Sequence, residues 1–201
     1  LWLLAVPCAG VGAYAVSQSW WVQDDPVASD DQQTADGQSR FTPGGVDYLT
    51  RQGTLSLHMD DDAATAGTLG LEPDGVEDIA PRTPVRALVS VPGGELEVSP
   101  VTAFTLETAD DRVCAAEFEL RGSGWTDAVE NLRRLAPGWG WSEGDVNGLS
   151  DRVAAATSED DDLIVVGIGP IEHLGAVASA RVEVTRNPAR VTAIVTASCV
   201  R

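Results

Sequence analysis

Leu55, Leu57 and Met59 alternate with Ser56 and His58, the period of two that a strand with one buried face produces. The same alternation returns at Val85 to Val91, Glu95 to Ser99, Val101 to Glu107 and Val113 to Leu120. Pro92-Gly93-Gly94, Pro100 and Asp110-Asp111 stand between these runs as turn punctuation. This half of the chain predicts a β-meander. Residues 60–84 carry Asp, Gly and Pro without a sustained period and read as a loop holding at most one helical turn.

The period then lengthens. Trp125, Ala128, Val129, Leu132, Leu135 and Ala136 fall three and four apart, the spacing of one helical face. Asp127 and Glu130 suit the positive N-terminal end of that helix, Arg133 and Arg134 the negative C-terminal end, and Pro137-Gly138 reads as its stop. A second helix is expected from Glu143 to Ala156, with Ser142 as its cap and Gly144 and Gly148 weakening it. Leu163 to Ile168 is a continuous apolar run, which at that length reads as a central strand covered on both faces. Val182 and Val184, the turn Asn187-Pro188, and the alternation Val191, Ala193, Val195, Ala197, Cys199 predict a closing hairpin. The elements sum to an α+β fold, an antiparallel or mixed sheet of about five to seven strands with two helices packed on one face.

Ahead of that domain, Leu1 to Val22 hold no charged side chain, and Trp20-Trp21 sit where an interfacial aromatic pair would. A bilayer core needs roughly 20 mainly apolar residues in helix, so the stretch is long enough for an N-terminal membrane helix. Ala13-Tyr14-Ala15 has the small-x-small form of a cleavage site and gives the competing reading, a secreted protein after signal cleavage. Asp24, Asp25, Asp30 and Asp31 precede the first arginine, Arg40; with no positive charge on this flank, the positive-inside rule puts the C-terminal part outside the cytoplasm. The expected organisation is an anchor or signal segment at 1–23, an acidic flexible tether at 24–45, and an extracytoplasmic domain at 46–201.

Charge narrows the chemistry. The formal net charge is −18, and all 13 basic residues are arginine. Without lysine there is no Schiff base, no Walker lysine and no Ser-Lys dyad. Phosphate binding needs a basic face, and no arginines cluster beyond Arg133-Arg134, so nucleic acid is not an expected partner. The only histidines are His58, outward on its strand, and His173, expected in a loop; no serine lies in a nucleophile elbow. Asp60-Asp61-Asp62, Asp145 to Asp151 and Glu159 to Asp162 raise calcium, but none has the alternating ligands, central glycine and closing glutamate of an EF-type loop. No metal or other cofactor is expected.

Cys114 shares a strand face with Ala116, Phe118 and Leu120, and Cys199 with Val195 and Ala197, so both thiols are expected to point at the core and to form a disulfide in an oxidising compartment. Gly138-Trp139-Gly140-Trp141 lies between the two helices, and Trp139 and Trp141 are candidate binding residues for a sugar or a partner; the alternative is that both indoles cap the core. The functional expectation is a membrane-anchored envelope domain with a non-catalytic binding or structural role. Its expected partners are the membrane, through residues 1–22, and an envelope protein or wall component. The alternative is a wall or glycoside hydrolase built on two facing carboxylates.

Overall fold

The computed structural model describes residues 28–156 and 162–200. The expected membrane segment, residues 1–23, and most of the acidic run before Leu163 lie outside the described residues. Among the described residues no helix is long and apolar enough to cross a membrane.

The chain is a mixed α+β fold with an eight-stranded sheet, one strand beyond the expected upper count. Helix α1 (Pro43–Gln52) opens on Thr42, whose hydroxyl accepts from the Gly45 N–H, and ends on Gly53 at φ 69°, which turns directly into β1 (Thr54–His58). A single helical turn, α2 (Ala66–Leu69), and a short strand, β2 (Gly75–Ile79), occupy the stretch read as loop. Then come β3 (Val85–Val91), β4 (Gly94–Ala109) and β5 (Arg112–Leu120), three helices α3 (Trp125–Trp139), α4 (Glu143–Asn147) and α5 (Leu149–Ala156), and β6 (Leu163–His173), β7 (Ala176–Arg186) and β8 (Ala189–Cys199). The order across the sheet is β1-β3-β4-β5-β8-β7-β6, antiparallel except for β1 against β3.

That order has a two-fold character. Each half is an antiparallel meander, β3-β4-β5 and β6-β7-β8, and the last strands of the two meet at the centre as an antiparallel pair running from Leu120↔Ala193 to Ala115↔Ser198. At Val101, β4 pairs with β3 on one side and β5 on the other; β2 pairs with residues 104–108 of β4 on the edge that β5 leaves, so β2 continues the line of β3.

Two prolines act otherwise than as stops. Pro100 lies inside β4, where the register against β3 slips between the pairs Val85↔Val101 and Ala87↔Val98, a place where a missing N–H leaves no ladder bond broken. Pro137 lies inside α3, which runs two residues further to Trp139 and ends on Gly140 at φ 75°. Trp139 is fully buried and its indole N–H donates to the Glu97 carbonyl at 3.0 Å, an attachment to β4 that the last turn supplies. The second expected helix is two, broken at Gly148, and Ser142 does cap the first of them in a capping box with Asp145.

Helix α3 lies across β4, β7 and β8, and α5 against β6, so the helices sit on the sheet face that buries Phe104, Phe118, Val195 and Val182. The sheet curls around them. Although four strands separate β3 from β6, the Gly93 N–H of the β3-β4 turn donates to the Leu174 carbonyl of the β6-β7 turn at 2.8 Å. A Cβ on Gly93 would stand 2.9 Å from that Leu174 backbone. On the far side, Ser39 exchanges hydrogen bonds with Ser56 of β1, and Gln38, Ser39 and Phe41 are buried, so part of the stretch expected as a tether is packed onto the domain.

Leu163 to Ile168 is the correction to the strand reading. It belongs to β6, at the edge of the sheet, and its burial alternates: Ile164, Val166 and Ile168 face the core, while Leu163 and Val165 are half exposed. An apolar run reads as covered on both faces only where the sheet is, and among the described residues this sheet has helices on one.

Candidate functional site

The uncovered face of the sheet is built by alternation. In β5, Ala116, Phe118 and Leu120 are buried, which sends Ala115, Glu117 and Glu119 to the other side; in β8, Ala193, Val195 and Ala197 do the same for Ile194, Thr196 and Ser198. In β7, Ala178, Ala180 and Val182 leave Val177, Ser179, Arg181 and Glu183 outward. Register then sets the rows: Thr105, Glu117, Thr196 and Ser179 lie in one line across β4, β5, β8 and β7, and Glu107, Ala115, Ser198 and Val177 in the next.

Arg181 ties these strands together. Its two terminal nitrogens donate to both carboxylate oxygens of Glu117 at 2.8 Å, bridging from β7 over β8 to β5, and its Nε donates to Glu183 at 2.8 Å. The hydrogen bond from Arg181 holds the Glu117 carboxyl below the usual carboxylate range against the opposing effect of partial burial, and Arg181 is itself raised. Further along, Arg190 pairs with Glu119. Beside the Glu117 pair lies a hollow of about 630 Å³ lined by Val76, Thr105, Glu107, Glu117, Thr196 and Ser198 together with Cys114 and Cys199. Val76, on edge strand β2, is two-thirds exposed at its rim.

Both cysteines line this hollow, and Cys199 also packs against the edge of the core. Cys114 is the extra residue of a bulge, opposite the step from Glu107 to Thr108 in β4, and both thiols are partly exposed. Cys114 Sγ lies 3.3 Å from the Glu107 carbonyl, and the two sulfurs are not joined to each other in this structure. A second hollow of about 460 Å³, lined by Met59, Asp60, Asp110 and Arg112 among others, also reaches both cysteines.

The remaining sequence candidates lie elsewhere. Trp139 and Trp141 are buried, with ring centroids 5.3 Å apart and planes tilted by 33°, so neither presents a flat face to solvent. His173 ends β6 instead of lying in a loop, and its ring packs on the Gly140 cap, where a Cβ would come within 2.8 Å of it. His58 stands near Asp60, at 3.9 Å, on β1. Neither histidine lines the hollow beside Glu117. Among the described residues no group of three or more His, Cys, Asp or Glu is placed to hold a metal ion.

Glu107, Glu117, Arg181, Thr196 and Ser198 were not singled out by the sequence, although a signal exists. Ala-Glu-Phe-Glu-Leu in β5 and Ala-Arg-Val-Glu-Val in β7 both alternate charge with apolar residues, so opposite charges were bound for the same face once the strands lay near each other.

Fold and hollow define a class: a mixed α+β domain with an eight-stranded sheet and a few helices, in which a hollow opens on the sheet face that the helices of the described residues leave free. The chain matches no protein-family model, no curated protein and no solved structure, so geometry alone carries that assignment.

Proposed function

We propose that this chain is an envelope domain held outside the cytoplasm by residues 1–22, and that it binds an envelope protein or wall component through the open face of its sheet without catalysing a reaction. The observation that carries the reading is the hollow of about 630 Å³ on the sheet face that no helix covers among the described residues, where the hydroxyls of Thr105, Thr196 and Ser198 and the ion-paired Glu117 offer hydrogen bonds. The anchor and the extracytoplasmic location rest on the uncharged N-terminal stretch and the acidic flank after it, with secretion after cleavage as the alternative.

The test compares the detergent-solubilised full chain with its Ser198→Arg variant in affinity purification from envelope extract, read by mass spectrometry and by binding to isolated wall. A partner or wall fraction recovered with the natural chain and lost with the variant supports the open face. Equal recovery with both removes it.

Carboxylate hydrolysis keeps one specific support. Glu107 and Glu117 line the same hollow as diagonal neighbours on β4 and β5, whose backbones stand about 7–8 Å apart, a spacing from which two glutamate side chains can reach the roughly 5–9.5 Å carboxyl separation of glycoside chemistry. Set against it, a general acid needs a raised pKa, whereas Glu117, Glu97, Asp36, Asp127 and Asp145 are all lowered by hydrogen bonds from neighbours. Wall material turned over by the natural chain and untouched by Glu107→Gln would favour the hydrolase.

A further inference from the structure

We propose that Cys114 and Cys199 form a reversible dithiol–disulfide couple, accessible from solvent, that clasps the end of β8 to the bulge of β5 and opens and closes without unfolding the domain. The register places them. The ladder runs one residue at a time from Leu120↔Ala193 to Ala115↔Ser198, and Cys114 and Cys199 are the next residue on each strand beyond its last pair, so that continuing the register one step would set them opposite each other. Residues opposite one another in an antiparallel pair have Cα atoms about 4.5–5.5 Å apart, within the roughly 4.4–6.8 Å of disulfides.

The Cys199 sulfur is already aimed that way, 3.8 Å from the carbonyl oxygen of Val113, the residue bonded to Cys114. Closing the bridge asks Cys114 to turn its sulfur from the Glu107 carbonyl towards β8, a side-chain rotation at a bulge residue. Cys114 and Cys199 line both hollows and both are partly exposed, so they stand between two solvent-reached spaces. An external reagent therefore has a path to them, the condition that separates exchangeable disulfides from buried structural ones.

The chemistry needs a disulfide donor, here a small-molecule disulfide such as oxidised glutathione. One cysteine thiolate attacks a donor sulfur, forming a mixed disulfide and expelling one donor thiolate; the other thiolate attacks the protein sulfur of that mixed disulfide and expels the second. The two cysteines are oxidised, the donor is reduced, and the two protons lost from the protein end on two donor thiols. Burial pushes the Cys199 thiol up, so closure quickens on the alkaline side of neutrality.

The third cysteine of the sequence, Cys8, lies in the uncharged N-terminal stretch; the experiment treats the full chain, and the Cys8→Ser chain, with oxidised glutathione, then alkylates under native conditions and maps an unreduced digest by mass spectrometry. The expected result is one cross-linked peptide pair containing Cys114 and Cys199, loss of both alkylation sites, and their return with dithiothreitol while the circular dichroism spectrum stays native. Cys114→Ser and Cys199→Ser should each retain a glutathione adduct that the natural chain resolves. Three results would overturn the couple: a bridge from either cysteine to Cys8, stable adducts on both cysteines in the natural chain, or thiols recovered only after denaturant. Should either single variant fail to fold, the map of the Cys8→Ser chain decides.

Discussion

The two faces of this sheet share every backbone hydrogen bond and differ in nearly everything else. On the covered face, Phe118, Val195, Ala197 and Val182 are without exposure, and Phe41, Phe104 and Phe118 form a run of ring contacts with centroids 6.0 and 6.4 Å apart. On the open face the intervening residues are Glu117, Thr196, Ser198 and Arg181, partly exposed, with Glu117 and Arg181 joined as an ion pair. The difference teaches where each kind of information is stored. Buried apolar area carries the fold, at roughly 25 cal/mol per Å² removed from water, while the polar rows are free to be chosen for what they meet.

The largest test of that division is at Trp139. Its indole is fully buried between the curled sheet and the helices, and its N–H answers the Glu97 carbonyl. Trp139→Ala should cost about 3–5 kcal/mol, from the cavity and the orphaned carbonyl together, read as a lower urea midpoint. A loss below about 1 kcal/mol would show that the covered face does not hold the fold here.

Gly140→Ala follows. The left-handed backbone at φ 75° costs an alanine about 1–2 kcal/mol, and the new Cβ would meet the His173 ring at 2.8 Å. A double-mutant cycle with His173→Ala should return the steric part and leave the backbone part. Equal losses in both backgrounds would mean that the ring moves aside unaided.

The covered face also explains what could be read from sequence. β5, β7 and β8 were legible because one-sided burial forces alternation, as in Ala116 to Leu120. The helix from Trp125 was legible for the same reason at its own period. Pro100 and Pro137 were misread as stops because a proline's effect depends on whether its N–H is needed. The slipped register at Pro100 removes that need, and the buried Trp139 holds the helix beyond Pro137. β2 escaped notice since only Ile79 of its five residues is buried. The site was less legible than the fold. Glu117 and Arg181 are 64 residues apart, and nothing local says that β5 and β7 will flank the same strand.

The ion pair on the open face should matter less than either core position. Glu117 has a folded pKa lowered by the hydrogen bond from Arg181, so its contribution is full above the unfolded carboxylate range near about 4.3 and fades as pH falls through the folded value. Both side chains keep about a third of their exposure, and solvent screening discounts the pair to about 1 kcal/mol or less. Urea titrations of the natural chain and Glu117→Gln should therefore differ at pH 7 and converge at acidic pH. A gap that widens on acidification would reverse the assigned direction.

Ser198→Arg gives the smallest expected effect on stability, within about 0.5 kcal/mol. Ser198 lies between Ala115 and Val177 on the open face, and the hollow beside it has room for a long side chain to reach solvent. A chain of net charge −18 also offers an added cation a favourable field. One residue earlier the same side chain would have no such room, because Ala197 is fully buried with Ala116 and Ala178 on its two sides. Neighbouring positions on one strand thus separate the two faces most sharply. An unchanged urea midpoint in Ser198→Arg, beside lost recovery of an envelope partner or wall fraction, would assign that loss to the surface and not to the fold. A midpoint shifted by more than about 1 kcal/mol would mean that the open face is packed more tightly than its hollow implies.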